Sequence, residues 1–270
     1  MYIAPISYGR KNIPTAFMVD GEPLENALYV PETTQRKHLG TRGLTWDGRV
    51  FKYAKSGDEC YAGRGNIFYN AIPATGIDYS LLAADAPVGS LSVKMTNQGV
   101  VAQTEDGLCG GQIVLKPAAG SSDAILQFRG VIGNTAGGVS DVITIYLDAP
   151  LDRALTSGVS YGFVMPSPWS DVRYTDALTK CSHCGVAAAY VSAANYFHWE
   201  QTWGKCWIAP QAECGTLAYG REVVWRYDGS IQHRGSSGID GLEGQLAGFI
   251  MDNNEADNGS TVIFLQITPI

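Results

Sequence analysis

Charge is scarce in this chain. Only 17% of its 270 residues are Asp, Glu, Lys or Arg, and they leave a formal net charge of -7. A general nucleic-acid binder needs a basic surface to neutralise phosphates, so that class is excluded. No run of about 18 apolar residues is present to cross a bilayer as a helix, so no membrane partner is expected. The N-terminus has no charged segment followed by an apolar one, and export by the general secretory route is not expected. The six cysteines therefore meet a reducing compartment first and need not form a disulfide framework. Long stretches with a 3.6-residue apolar period are missing too, which removes the helices that cover a parallel sheet. No period of 20–50 residues marks a solenoid or propeller.

Glycine, at 32 residues, is abundant, and short apolar runs recur between turn residues. That pattern predicts many short strands and a mainly β, antiparallel sandwich or barrel-like fold. Strands are expected at Ser90 to Thr96, Gln112 to Lys116, Ile125 to Ile132, Val142 to Leu147, Glu222 to Tyr227, Ser230 to His233, Gln245 to Met251 and Thr261 to Thr268. The dipeptides Asp47-Gly48 and Asp228-Gly229 predict tight hairpins. Two short helices are expected, over Asp78 to Ala84 and Pro150 to Leu155. The densest apolar stretch, Gly185 to Trp207, holds Tyr190, Tyr196, Phe197, Trp199, Trp203 and Trp207 and reads as strand, turn near Ala194-Asn195, strand. Each such ring removes roughly 150–250 Å² from water when buried, so this hairpin is the expected centre of the main core.

Residues 1–43 read as an extended N-terminal arm, because Pro5, Pro14, Pro23 and Pro31 recur and neither apolar period is sustained. Residues 44–270 form the β-rich body, with room for two β subdomains divided near 165–180. Residues 1–55 sum to +3, with eight Lys/Arg against five Asp/Glu, while the remainder is acidic. A basic leading segment on an acidic body suits docking on an acidic partner.

Catalytic signatures are weak. Gly158-Val-Ser160-Tyr-Gly162 matches G-x-S-x-G, but Pro166 and Pro168 forbid the helix that should follow the serine, so Ser160 is expected in or beside a strand. Gly63-Arg-Gly65-Asn-Ile-Phe68 lacks the last glycine of a dinucleotide loop. The histidines His38, His183, His198 and His233 are scattered. His198-Trp199-Glu200 contains a base and an acid, but neighbours along a strand face opposite sides, which works against their pairing. Cys181-x2-Cys184-x21-Cys206-x7-Cys214 is half a zinc pattern. The first pair has ligand spacing, the second does not, and His183 is a substitute ligand. Cys60 and Cys109 read as core thiols. The stretch Asp252 to Gly259 reads as a solvated hairpin tip. The balance predicts no enzyme, no catalytic residue and no cofactor.

Tyr29-Val-Pro-Glu-Thr-Thr-Gln-Arg-Lys-His-Leu-Gly-Thr41, Asp47-Gly-Arg-Val-Phe-Lys-Tyr-Ala-Lys-Ser-Gly57, and Gly185-Val-Ala with Tyr196-Phe-His-Trp-Glu-Gln-Thr-Trp-Gly204 resemble the decoration, or cement, proteins of tailed-bacteriophage capsids. The resemblance spans residues 29 to 210 in patches and omits Cys181 to Cys184 and the chain beyond Cys214. It implies a β-rich virion protein, made in the host cytoplasm and seated on the outer capsid surface. The implied partners are the major capsid protein and further copies of itself as a homotrimer. Arg10, Lys11, Arg36, Lys37 and Arg42 are the candidate capsid contacts. The competing expectation is a carbohydrate- or receptor-binding β module of a virion, which an exposed Trp199 or Trp203 lining a groove would favour.

Overall fold

The computed structural model describes residues 27–69, 77–99, 101–117, 126–174, 182–210, 221–234, 244–253 and 261–267, and the backbone of four two-residue strands ahead of them. Those four are β1 (Ser7–Tyr8), β2 (Lys11–Asn12), β3 (Met18–Val19) and β4 (Glu22–Pro23). Then come β5 (Arg42–Leu44), β6 (Val50–Lys55), β7 (Gly65–Phe68), β8 (Ile77–Leu81), β9 (Ser92–Thr96), β10 (Gln112–Lys116), β11 (Gln127–Asn134), β12 (Val142–Leu147) and β13 (Tyr161–Met165). The rest are β14 (Val172–Arg173), β15 (His183–Ala187), β16 (Phe197–Ile208), β17 (Glu222–Trp225), β18 (Ile231–His233), β19 (Leu246–Asn253) and β20 (Thr261–Gln266). The fold is mainly β with antiparallel sheets, as the alternating runs predict, and comprises one half-barrel and one nearly closed barrel.

The chain divides into two units, residues 1–69 with 169–270, and residues 70–168. It passes between them twice, at 69/70 and at 168/169, where composition suggested one division near 165–180. An inserted unit is hard to see in the sequence because both units are built from the same short strands and glycine turns.

In the inserted unit the strands run in the order β8, β13, β10, β11, β12, β9. The end strands meet through a bridge between Leu82 and Met95 and through the Ala83 N–H, which donates to Lys94 O at 2.8 Å. Alternation sends Val93, Met95, Ile113, Leu115, Ile143, Ile145 and Leu147 to the interior, where each is at most 2% exposed. A Cβ on Gly162 would sit 2.5 Å from Met95 Sδ, so glycine there lets methionine fill the barrel. Neither expected helix forms. Asp78 to Ala84 begins as β8, paired with β13, and 150–155 is irregular, with Leu151 and Leu155 donating to Ser90 O and Ala86 O. Cross-strand pairing overrides the weak local helix preference of both segments.

The other unit is organised by β16. One edge of its first half pairs with β6, from Phe197 opposite Lys55 to Trp203 opposite Val50. The opposite edge takes β15 at Glu200 and Gln201 and then β20 from Trp203 to Ile208. A register shift between Gln201 and Trp203 and a left-handed φ of 92° at Gly204 mark the change of partner. Beyond it, β20, β19, β17 and β18 curl back until the Ile231 N–H donates to Ala209 O, enclosing Cys206, Ile208, Val223, Trp225, Ile250, Ile263 and Leu265. The sheet also extends into the segment expected as the arm. β5 pairs with β6, β3 pairs with β5, and β4 lies outermost, where Pro23 has no N–H to leave unpaired.

Ile143→Ala should destabilise the barrel by about 2–5 kcal/mol, whereas Ile132→Ser on its outer face should stay within about 0.5 kcal/mol. Urea unfolding of the two variants measures this, and equal effects would reject the assigned faces.

Candidate functional site

The first six residues of β16 are buried on both faces. Phe197 and Trp199 pack against Leu28, Phe51 and Tyr53, the Tyr53 and Trp199 rings meeting edge to face at 5.1 Å. The opposite face carries His198, Glu200 and Thr202, at 3%, 0% and 0% exposure. His198 and Glu200 are two residues apart, so they share a face. The expectation that they would point apart took the spacing of immediate neighbours and is corrected here: His198 Nε2 lies 2.7 Å from Glu200 Oε1.

Three further elements close over this pair. Asn66 on β7 donates its Nδ2–H to Glu200 Oε1 at 2.9 Å. Cys60, in the connection from β6 to β7, is held by reciprocal backbone hydrogen bonds with Val191 and is fully buried. Gly185 on β15 leaves room for the carboxylate, since a Cβ there would stand 3.0 Å from Glu200 Oε2 and 2.9 Å from Gln201 O. The ligand-capable atoms of Cys60, His198 and Glu200 lie within 4.8 Å of one another. Three atoms of the cluster, Asn66 Oδ1, His198 Nδ1 and Glu200 Oε2, have no hydrogen-bond partner among the described residues. Burial, then the Glu200 charge, pushes the thiols of Cys60 and Cys184 well above the ordinary cysteine range. A protonated thiol sealed from solvent is not a nucleophile. The cluster is instead a set of sulfur, nitrogen and oxygen donors in an apolar interior.

Cys184 and Cys206, the two described members of the half zinc pattern, are not gathered in this way. Cys184 packs with Ala54, Cys60 and Val191, and Cys206 packs with Ile208, Val223 and Trp225 in a separate core, its thiol raised to about 12 by burial. Cys181 and Cys214 lie outside the described residues, as do 254–260 of the expected hairpin tip. His183 stacks on Trp225 at 4.9 Å, and its peptide unit is clasped by the Gln245 amide at 2.7 and 2.9 Å. Ser160 is buried and donates its Oγ–H to Pro117 O at 2.7 Å, while accepting from the Thr156 N–H at 2.9 Å. All four histidines belong to the other unit's sequence. The dominant sequence signal around His198 and Glu200 was aromatic, and the contribution of Cys60 was legible in no spacing, because 138 residues separate it from His198.

The surface residues sort differently. Arg36 pairs with Glu32 at 3.0 Å, Lys37 lines a small cleft of about 40 Å³ with Glu32, Tyr53, Phe197 and Trp199, and Arg42 is exposed on β5. Arg42 stands opposite Lys52 in the ladder, and burial together with Arg42 lowers the Lys52 pKa. Arg10 lies outside the described residues, and of Lys11 only the backbone, in β2, is described. Trp199 is buried, and Trp203 is half-buried edge-on against Phe264. A separate surface group, Tyr61, Tyr174 and Tyr190, has ring centroids 4.7 and 5.3 Å from that of Tyr61, whose hydroxyl donates to Glu59 at 2.7 Å.

Comparison of the chain with known protein families, characterised proteins and solved structures finds no match.

Burial lowers the His183 pKa from 6.5 to about 4, against the opposing pull of Asp228. The unfolded chain therefore binds a proton that the folded chain refuses between these values, and stability falls as pH drops from about 6.5 towards 4. A tenfold difference in proton affinity between the two states is worth about 1.4 kcal/mol. Melting temperature followed from pH 7 to 4 should fall, and His183→Phe should flatten that part of the profile. An unchanged slope would remove His183 as the cause.

Proposed function

We propose that this chain is a structural virion protein that binds the outside of a tailed-phage capsid as a homotrimer and holds neighbouring major capsid subunits together. The observation that carries the reading is the outer face of the 70–168 barrel. Phe128, Ile132, Val142 and Tyr146 project from the adjacent strands β11 and β12 at 60%, 59%, 55% and 42% exposure. Large exposed apolar side chains on an otherwise well-packed barrel suit a protein-binding surface. The resemblance of residues 29 to 210 to capsid decoration proteins names the partner.

Charge supports the same reading. Arg42 and Lys52 are cations facing each other across two strands, and like charges so placed repel unless a partner supplies an anion. An acidic patch on a capsid subunit would relieve that repulsion. Cyclic symmetry lets each protomer present the leading segment to a different subunit, and modest contacts then add through effective concentration.

A carbohydrate-binding role is the second reading, and the tyrosine group around Glu59 favours it. Aromatic rings beside a carboxylate suit the apolar face and hydroxyls of a sugar. Tyr190, half exposed, would be its outermost ring. Specific glycan binding lost in Tyr190→Ala would favour this reading over the first.

Capsids lacking the protein, mixed with purified chain and sedimented, test the proposal. Deleting residues 1–27 should leave a folded body with reduced occupancy. The Phe128→Asp, Ile132→Asp pair should weaken binding by roughly tenfold or more, the equivalent of about 1.4 kcal/mol. Undiminished occupancy in both would overturn the proposal.

A further inference from the structure

We infer that Cys60, His198 and Glu200 bind a structural divalent metal ion, zinc by their donor set. The inference is independent of the capsid reading. It starts from an electrostatic problem, since Glu200 is 0% exposed and its Oε2 meets no donor among the described residues. A buried carboxylate left this way is costly unless a cation or further donors meet it. The cation next in the ladder does not solve it: Lys52 stands opposite Glu200 in the register but makes no ion pair with it among the described residues. His198 offers one ring nitrogen to Oε1 at 2.7 Å and leaves Nδ1 unpartnered.

A metal ion would satisfy these groups together. The donor atoms of the three residues already lie within 4.8 Å of one another, in reach of one ion after small side-chain adjustments. Thiolate, imidazole and carboxylate are all zinc ligands, and the mixture of soft and borderline donors disfavours magnesium or calcium, which prefer oxygen alone. The Cys60 thiol now faces the carbonyl oxygens of Val172 at 3.4 Å and Asp58 at 3.8 Å. On binding, its proton passes to solvent and sulfur bonds the metal. One thiolate and one carboxylate balance the charge of a divalent ion, and a neutral imidazole leaves the centre uncharged, which suits a dry core. Asn66 Oδ1, buried and unpartnered on a side chain already bonded to Glu200, is a neutral oxygen for the fourth position. The ion would tie the connection after β6, and β7, to the start of β16.

The full-length chain, purified without chelator, should contain one zinc per molecule by elemental mass spectrometry. Chelator treatment should lower its melting temperature, and added zinc should restore it. Cobalt added to the stripped protein should give the visible bands of a tetrahedral site with thiolate-to-metal charge transfer. Cys60→Ser and Glu200→Gln should each lose the metal, while Cys109→Ser keeps it. If either buried variant fails to fold, the stripped wild-type chain still decides by its zinc-dependent melting and cobalt spectrum. Purified chain without stoichiometric metal, whose melting zinc does not shift and which gives no cobalt spectrum, would overturn the inference.

Discussion

The ladder along both edges of β16 is the constraint on which the unit of residues 1–69 and 169–270 depends. One edge takes β6, the other takes β15 and then β20, so a single strand feeds two cores. Backbone groups in such a strand have no access to water and must find partners in the neighbouring strands. The change of partner near Gly204 answers that demand. A left-handed residue there bends the strand away from β6 just where β20 takes over, close enough to Arg49 that a Cβ would stand 3.1 Å from its Cα. Phe197 and Trp199 then fall on one side of the sheet and the polar pair on the other.

Burial on both faces explains why this strand carries the molecule's least comfortable chemistry. Phe197 and Trp199 gain by leaving water, but the same registry drags His198 and Glu200 into the opposite core. The protein meets part of that demand with Asn66 and with the space left by Gly185. Polar groups kept in a core against this penalty are retained for what they bind or for the one arrangement they permit. The inserted barrel is the contrast. Its buried polar side chains, Ser80, Asn97, Gln127, Asn134 and Ser160 among them, donate to backbone carbonyls, and its outer face carries exposed apolar residues on β11 and β12. The buried polar atoms left without a partner around His198 and Glu200 have no counterpart among the described residues of the barrel.

The sequence by itself determined the kind of structure. Period-two alternation and turn dipeptides located strands such as Gln112–Lys116 and Val142–Leu147 and the turns at Gly48 and Gly229, both of which adopt positive φ. These features depend on residues within a few positions of each other, and local sterics and alternation encode them directly. Tertiary structure alone decided the rest. It turned Ile77–Leu81 into a strand through pairing with β13, set 70–168 apart as an insertion, separated Cys184 from Cys206, and brought Cys60 to His198 and Glu200. Each of those outcomes rests on contacts between residues far apart in the chain, and such contacts leave no spacing to read until the strands have chosen their neighbours.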